Sequence, residues 1–89
     1  MSENDAEAKR WLQYSQEDLN AAVILLAQEG TALRHVCWFA QQSAEKAIKG
    51  ALTFLQIPFP KSHDLDTLLN LLPEGWHLKK SLDLSDLSE

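Results

Sequence analysis

The sequence of 89 residues predicts an all-α fold: an antiparallel, up-and-down helical bundle whose final helix is short or missing. Apolar residues recur at spacings of three and four through two long segments, which is the period of an amphipathic helix. Gly30 and the sequence Ile57-Pro58-Phe59-Pro60 interrupt this period, so consecutive helices must reverse direction over short connections. No segment alternates apolar and polar residues convincingly as a half-buried strand does. Residues 1–89 are expected to form a single domain.

The first predicted helix covers residues 5–28. Asn4 and Glu7 have the spacing of a capping box at its start. Because residues 21–27 are apolar on every side of the helix, this half is expected to be covered on more than one face. The predicted buried stripe consists of Ala8, Leu12, Ser15, Leu19, Ala22, Val23 and Leu26.

The second predicted helix covers residues 32–55, with Thr31 as its expected N-cap. Its stripe contains many small residues, and Gly50 lies beside them, so the backbone of a neighbouring helix can approach closely. The stripe consists of Val36, Phe39, Ala40, Ser43, Ala44, Ala47, Ile48, Ala51, Leu52 and Leu55.

A third helix is predicted after Ser62, its expected N-cap, with acidic residues in a first turn where the helix dipole favours them. Pro73-Glu74-Gly75 predicts its end. Its apolar stripe is Leu65, Leu68, Leu69 and Leu72. A weaker helical pattern follows, formed by Leu78, Leu82 and Leu87.

The charge distribution limits the classes of function. The net charge of −5 argues against a general nucleic-acid coat protein, since neutralising phosphates requires clustered Lys and Arg. Residues 33–63 nevertheless carry four basic side chains and one acidic one, whereas residues 1–29 and 64–89 each carry two basic and six acidic side chains. Either helices of opposite sign pair within the molecule, or the middle segment binds an anion.

Other features of the composition predict a cytoplasmic protein that is not inserted in a membrane. The N-terminus is acidic and lacks the pattern of a signal peptide, Cys37 is the single cysteine, and no apolar run is long enough to span a bilayer. His, Cys and carboxylate residues do not occur at metal-ligand spacing, so neither a metal nor a cofactor is predicted.

One face of the second helix is polar, and it continues into the following loop. Gln42, Glu45, Lys46 and Lys49 are spaced by three and four and therefore lie on one side, and Lys61 and His63 follow. The simplest interpretation is a solvated face held together by local pairs such as Glu45 with Lys49. The alternative is a phosphate site in which His63 lies at the N-terminus of the third helix, where free amides favour an anion.

Three segments of the sequence resemble the signature of HEPN domains. They are SQEDLNAA (15–22), WFAQQSAEKAIKG (38–50) and PKSHDL (60–65), and the likeness extends over about residues 9–72. The resemblance implies an antiparallel helical bundle that usually dimerises and has one more helix than this chain supplies, which predicts a truncated form or a partner that covers the end of the bundle. It also implies roles in nucleotide binding or in toxin-antitoxin pairs, often beside a minimal nucleotidyltransferase.

This resemblance leads to three hypotheses about function. In the first, the domain is a non-catalytic nucleotide-binding module: Lys46, Lys49 and Lys61 hold phosphates, Gln42 and Glu45 orient sugar or base, and His63 lies at the phosphate. In the second, it is an antitoxin-type or scaffold subunit that binds a nucleotidyltransferase through its apolar helical faces. In the third, it is a metal-independent RNase.

The RNase hypothesis is disfavoured because the expected motif is not found. Family members that cleave RNA carry an Arg followed a few residues later by a His. Arg10 and Arg34 are the only arginines here, and neither has a His five to seven positions later. A role other than that of a self-sufficient enzyme is therefore expected.

The amount of apolar surface predicts a homodimer. About three helices cannot enclose both the all-round apolar half of the first helix and the long small-residue seam of the second. Since soluble monomers seldom expose large contiguous apolar patches, a second copy is expected to cover the remainder, with the first two helices at or near the interface.

Overall fold

The computed structural model of the protein describes residues 2–73, which form three helices: α1 (Glu3–Leu26), α2 (Leu33–Phe54) and α3 (Leu65–Leu69). The all-α prediction is confirmed, and residues 2–73 contain no strand. The bounds of α1 and α2 lie within about two residues of those predicted. The weaker pattern formed by Leu78, Leu82 and Leu87 lies outside the described residues, as does most of the predicted stop at 73–75. Within the described part, no helix has both the length and the apolarity to cross a membrane.

The α1–α2 pair is an antiparallel hairpin with a seam of small residues. A Cβ added to Gly50 would lie 3.2 Å from the Cβ of Trp11 and 3.3 Å from the carbonyl oxygen of Ala8, so the two helix backbones are nearly in contact there. Farther along, Ser15 Oγ donates a hydrogen bond to the carbonyl oxygen of Ser43 at 2.7 Å. The buried residues of α1 recur every seven positions: Ala8, Ser15 and Ala22.

The larger members of the predicted α1 stripe are not buried, which corrects that prediction. The seam takes only the small residues, because close helix packing leaves no room for branched side chains at the line of contact. The larger residues lie next to them around the helix and remain 44–65% exposed: Leu12, Leu19, Val23 and Leu26.

The helix caps also differ from those expected. Ser2 rather than Asn4 is the N-cap of α1, and its Oγ accepts a hydrogen bond from the Asp5 amide. Asn4 Nδ2 instead donates to the carbonyl oxygen of Thr53 at 2.7 Å, which joins the start of α1 to the end of α2. The last carbonyl groups of a helix lack intrahelical donors, so a long-range contact replaces the local capping box. Ala32, with no side-chain cap, precedes α2 in place of Thr31.

The end of α2 is a Schellman motif that places the following loop. Gln56 has a φ of 60°. The amide of Ile57 donates to the carbonyl oxygen of Leu52 at 2.9 Å, and the amide of Gln56 donates to the carbonyl oxygen of Thr53. Ile57 packs against the core that contains Leu52, as the motif requires. The turn reverses the chain before the prolines, so it directs residues 57–63 back along α2.

The core lies between α2 and α3. Its fully or almost fully buried members are Ile48, Leu52, Leu68 and Leu72, and partly buried side chains from α2, the loop and α3 surround them. Helix α3 is only five residues long, and Asp64 rather than Ser62 is its N-cap. Packing of leucines, not helix length, therefore holds α3 in place.

Candidate functional site

A charged cluster lies where α2 meets the loop before α3. Glu45 is 2% exposed; its Oε2 accepts a hydrogen bond from Lys49 Nζ at 3.3 Å and lies 2.9 Å from His63 Nδ1, within hydrogen-bond distance. Lys49 lies one turn farther along α2, and the loop brings His63 to the same carboxylate. The side chain of Lys49 is 9% exposed, whereas that of His63 is 80% exposed. Of these three side chains, His63 is the one that presents its free end to solvent.

Aromatic rings from α1 and the loop complete the surroundings of Lys49. Its Nζ lies 5.5 Å from the centroid of the Trp11 ring, a cation–π contact. Trp11 packs edge to face against Phe59, with 6.4 Å between ring centroids. The ammonium group is thus placed between a carboxylate and an aromatic face, and both compensate for its removal from water.

The expectation of a solvated polar face on α2 is wrong for Glu45 and Lys49. The local pair is present, but both side chains are buried, with Trp11 of α1 against Lys49 and His63 of the following loop against Glu45. Lys46, also on this face, forms an ion pair with Asp18 of α1. The interpretation that helices of opposite sign pair within the molecule is confirmed at this contact.

The six residues predicted for a nucleotide site do not all meet. Glu45, Lys49 and His63 share hydrogen bonds, whereas Lys46 is paired with Asp18. Gln42 is half-buried and Lys61 is exposed, and no hydrogen bond within residues 2–73 joins either of them to the cluster. The exposed titratable side chains of the loop that supplies His63 are therefore His63 itself, Lys61 and Asp64, the N-cap of α3.

The helix N-terminus that was expected to attract an anion is already occupied. The Asp64 carboxylate accepts hydrogen bonds from the amide of Asp66 at 3.1 Å and from Thr67 Oγ1 at 3.0 Å. An acidic N-cap and a helix of five residues leave little positive potential for a phosphate. Any anion bound here must be recognised by side chains.

One oxygen of the central carboxylate has no partner among residues 2–73. Lys49 Nζ and His63 Nδ1 both contact Glu45 Oε2, and no hydrogen bond within that range reaches the buried Oε1.

The second notable surface is apolar, and we name it the open apolar face. It follows one side of α1 and α2 at helical spacing and consists of Leu12, Leu19, Val23 and Leu26 with Leu33, Ala40, Ala47, Ala51 and Phe54. At one end it forms a groove of about 570 Å³ with Ala8, Gly50 and Ala51 among its lining residues. Asp5 and Lys9 also line this groove, and Phe54 is 60% exposed.

The sequence pattern did not identify three residues that shape the site. Packing of distant segments brings Asp18 to Lys46, Trp11 to Lys49 and Phe59 to the Trp11 ring. The charge pattern did point towards Asp18, because an acidic helix next to a basic one predicts ion pairs between them, although not which residues form each pair. No metal site emerges: residues 2–73 hold no group of three or more His, Cys, Asp or Glu side chains suited to an ion.

Comparison with known proteins identifies one family. The sequence profile described as the HEPN domain matches residues 8–88, which is most of the chain. No curated protein matches the chain, and no solved structure matches it.

Proposed function

Since this chain belongs to the HEPN domain family, we propose that it is a non-catalytic helical module of the cytoplasm that binds a protein partner through the open apolar face and a nucleotide at His63. The observation that carries the proposal is the open apolar face. Soluble proteins rarely leave a contiguous apolar surface of this length without a partner. The face includes Leu12, Leu26, Leu33 and Phe54, each more than half exposed.

A second copy of the chain is the occupant that this face fits. Two antiparallel helices with an apolar side form half of a four-helix bundle, and two such hairpins complete it. The groove carries an acidic and a basic residue one turn apart, Asp5 and Lys9. In a two-fold interface each can pair with its opposite on the other copy, because such an interface is self-complementary.

A nucleotidyltransferase-type protein is the second partner that we propose, as part of a toxin-antitoxin pair. The exposed loop residues Lys61 and His63 would contact the phosphate and sugar of a nucleotide beside that enzyme. Lys46 and Lys49 act at a distance in this proposal, because each is already paired with a carboxylate. Glu45 likewise acts indirectly, through its contact with His63 on the buried side, and Gln42 lies at the edge of the nucleotide site.

The dimer is tested by sedimentation equilibrium of the wild type and of two matched variants. Leu12→Glu places a charge on the open apolar face, and Tyr14→Glu places one on another side of α1 at a residue of similar exposure, 46% against 52%. Because a symmetric interface contains each residue twice, Leu12→Glu should weaken association at least about 100-fold. Tyr14→Glu should change it little. A wild type that remains monomeric at about 100 μM would refute the dimer.

Nucleotide binding is tested by calorimetry with ATP and GTP. Binding should weaken as salt is raised, since a cation and a phosphate are in contact. Lys61→Ala and His63→Ala should each reduce affinity, whereas Lys9→Ala, which removes a charge at the groove, should not. No heat with either nucleotide at millimolar concentration contradicts this part of the proposal.

The contact between Glu45 and His63 favours an RNase as a second candidate function. A carboxylate that accepts from one ring nitrogen of a histidine is the arrangement by which general bases are held in place. The arginine of the usual motif is absent, so His63 would work with Lys61, a weaker partner for a phosphate. If purified protein cleaves tRNA or mRNA and His63→Ala abolishes the cleavage, this candidate replaces the non-catalytic module.

A further inference from the structure

The hydrogen bond between Glu45 and His63 determines which ring nitrogen of His63 carries a proton. Glu45 Oε2 also accepts a hydrogen bond from the Lys49 ammonium, and a carboxylate oxygen has no proton to donate. Nδ1 of His63, 2.9 Å from that oxygen, must then be the donor. In neutral His63 the lone pair is left on Nε2, at the exposed end of a side chain that is 80% exposed.

We propose that Glu45 is a positioning residue that holds His63 as the Nδ1–H tautomer, so that Nε2 accepts a hydrogen bond from a ribose hydroxyl of the bound nucleotide. The proposal rests on the nucleotide binding proposed above and assigns the ligand a sugar with free hydroxyl groups. Glu45 itself cannot contact the ligand, because only 2% of it is exposed. It acts through the imidazole.

The arrangement around the carboxylate explains how one exposed ring can be held in place. Glu45 is attached to a rigid helix and is anchored by Lys49, which in turn contacts the Trp11 ring. On the other side, the neighbouring residue Asp64 is fixed as the N-cap of α3. The His63 side chain is thus fixed at both its backbone and its Nδ1, although most of its surface faces water.

The nature of the ligand follows from two exposed groups of the loop, Lys61 and His63, since the exposed Asp64 carboxylate already accepts hydrogen bonds from the Asp66 amide and Thr67 Oγ1. Lys61 donates only, and neutral His63 accepts at Nε2, so the loop matches a ligand that has an anion and a hydroxyl donor close together. A ribonucleotide has this combination, with phosphate and hydroxyls on one sugar.

The tautomer is measured by ¹⁵N NMR of the imidazole at about pH 8, where an ordinary histidine is neutral. In the wild type, Nδ1 of His63 should show the protonated signature and Nε2 the unprotonated one. The Glu45→Gln/Lys49→Met variant removes both buried charges together, which avoids leaving one unpaired. It should convert His63 to a mixture of tautomers. The control, Arg10→Met/Glu17→Gln, removes one basic and one acidic side chain at exposed positions of α1 and should leave the tautomer unchanged.

The contact with the sugar is measured by comparing ATP with 2′,3′-dideoxy-ATP by calorimetry. The wild type should bind ATP about 3- to 10-fold more tightly, the effect of one hydrogen bond. The preference should disappear in His63→Ala and decrease towards unity in Glu45→Gln/Lys49→Met, and it should persist in the control variant. Circular dichroism confirms that each variant is folded.

The outcomes separate this inference from the proposed function. Equal binding of the two nucleotides by the wild type overturns the ribose contact while nucleotide binding stands. A wild-type His63 that carries its proton on Nε2, or as a mixture, overturns the positioning role of Glu45. Failure of both nucleotides to bind refutes the nucleotide function and the ribose contact together, and the tautomer measurement then decides the role of Glu45 by itself.

Discussion

Replacing Glu45 by Gln is expected to lower the free energy of unfolding by about 3 to 5 kcal/mol. The side chains of Glu45 and Lys49 are 2% and 9% exposed, so removal of the carboxylate leaves the ammonium group out of water without its counter-charge. Glutamine preserves the shape of the side chain. The change therefore removes the charge and little else.

The magnitude follows from the geometry of the pair. With 3.3 Å between Nζ and Oε2, the gross attraction is about 5 kcal/mol at an effective dielectric constant of about 20. Removing the two ions from water opposes this attraction. In Glu45→Gln, however, the buried Lys49 ammonium still carries its own desolvation cost. The cation–π contact with the Trp11 ring, 5.5 Å away, offsets about 2 kcal/mol of that cost. A loss of about 3 kcal/mol is a large part of the roughly 4 to 13 kcal/mol expected for a chain of this size.

Urea and thermal unfolding, followed by circular dichroism at one protein concentration, measure this loss. The Tm of Glu45→Gln should fall by at least about 12 °C. Glu45→Gln/Lys49→Met should be more stable than the single variant and lie within about 1.5 kcal/mol of the wild type, because it leaves no unpaired charge. A single variant that loses less than about 1 kcal/mol, or a double variant less stable than the single, would refute the reasoning.

Three further predictions concern the backbone and the helix seam, and urea unfolding tests each. Gln56→Gly should stabilise the protein by about 0.5 to 1 kcal/mol, because Gln56 has a φ of 60°. Gln41→Gly, at an exposed position of α2, should instead destabilise the protein by a similar amount. Equal effects of the two substitutions would contradict the argument. Gly50→Leu should cost more than about 2 kcal/mol, since even a Cβ there would lie 3.2 Å from Trp11 Cβ; an unchanged midpoint would show that the seam can open. Ser15→Ala should lower the free energy of unfolding by about 1 kcal/mol through the lost bond to the α2 backbone; wild-type stability in this variant would contradict the assignment.

Local sequence signals were sufficient for the helices and for much of the packing between them. The period of the apolar residues located α1 and α2 to within about two residues, because helix formation depends on neighbours three and four positions apart. The small residues around Gly50 predicted close helix approach, which the structure contains. The pairing of Glu45 with Lys49 was also foreseen, since it lies within one turn of one helix.

The candidate site could be only half predicted, because spacing on a helix says which residues share a side but not what covers that side. Six residues were predicted as one site, and three of them, Glu45, Lys49 and His63, do meet. The contact of His63 with Glu45, however, is made by a loop that returns along α2 after the turn at Gln56. A contact between residues 18 positions apart has no periodic signal.

The sequence by itself therefore determined the all-α fold, the hairpin, the leucine-rich core and the family. Only the tertiary structure decided that the α2 ion pair is buried, that Asn4 joins two helices instead of capping one, and that the large residues of α1 face outward. The physical reason is the same in each case. Local patterns specify which conformation a segment prefers, whereas burial and pairing depend on which distant segment arrives to compete for the same surface or hydrogen bond.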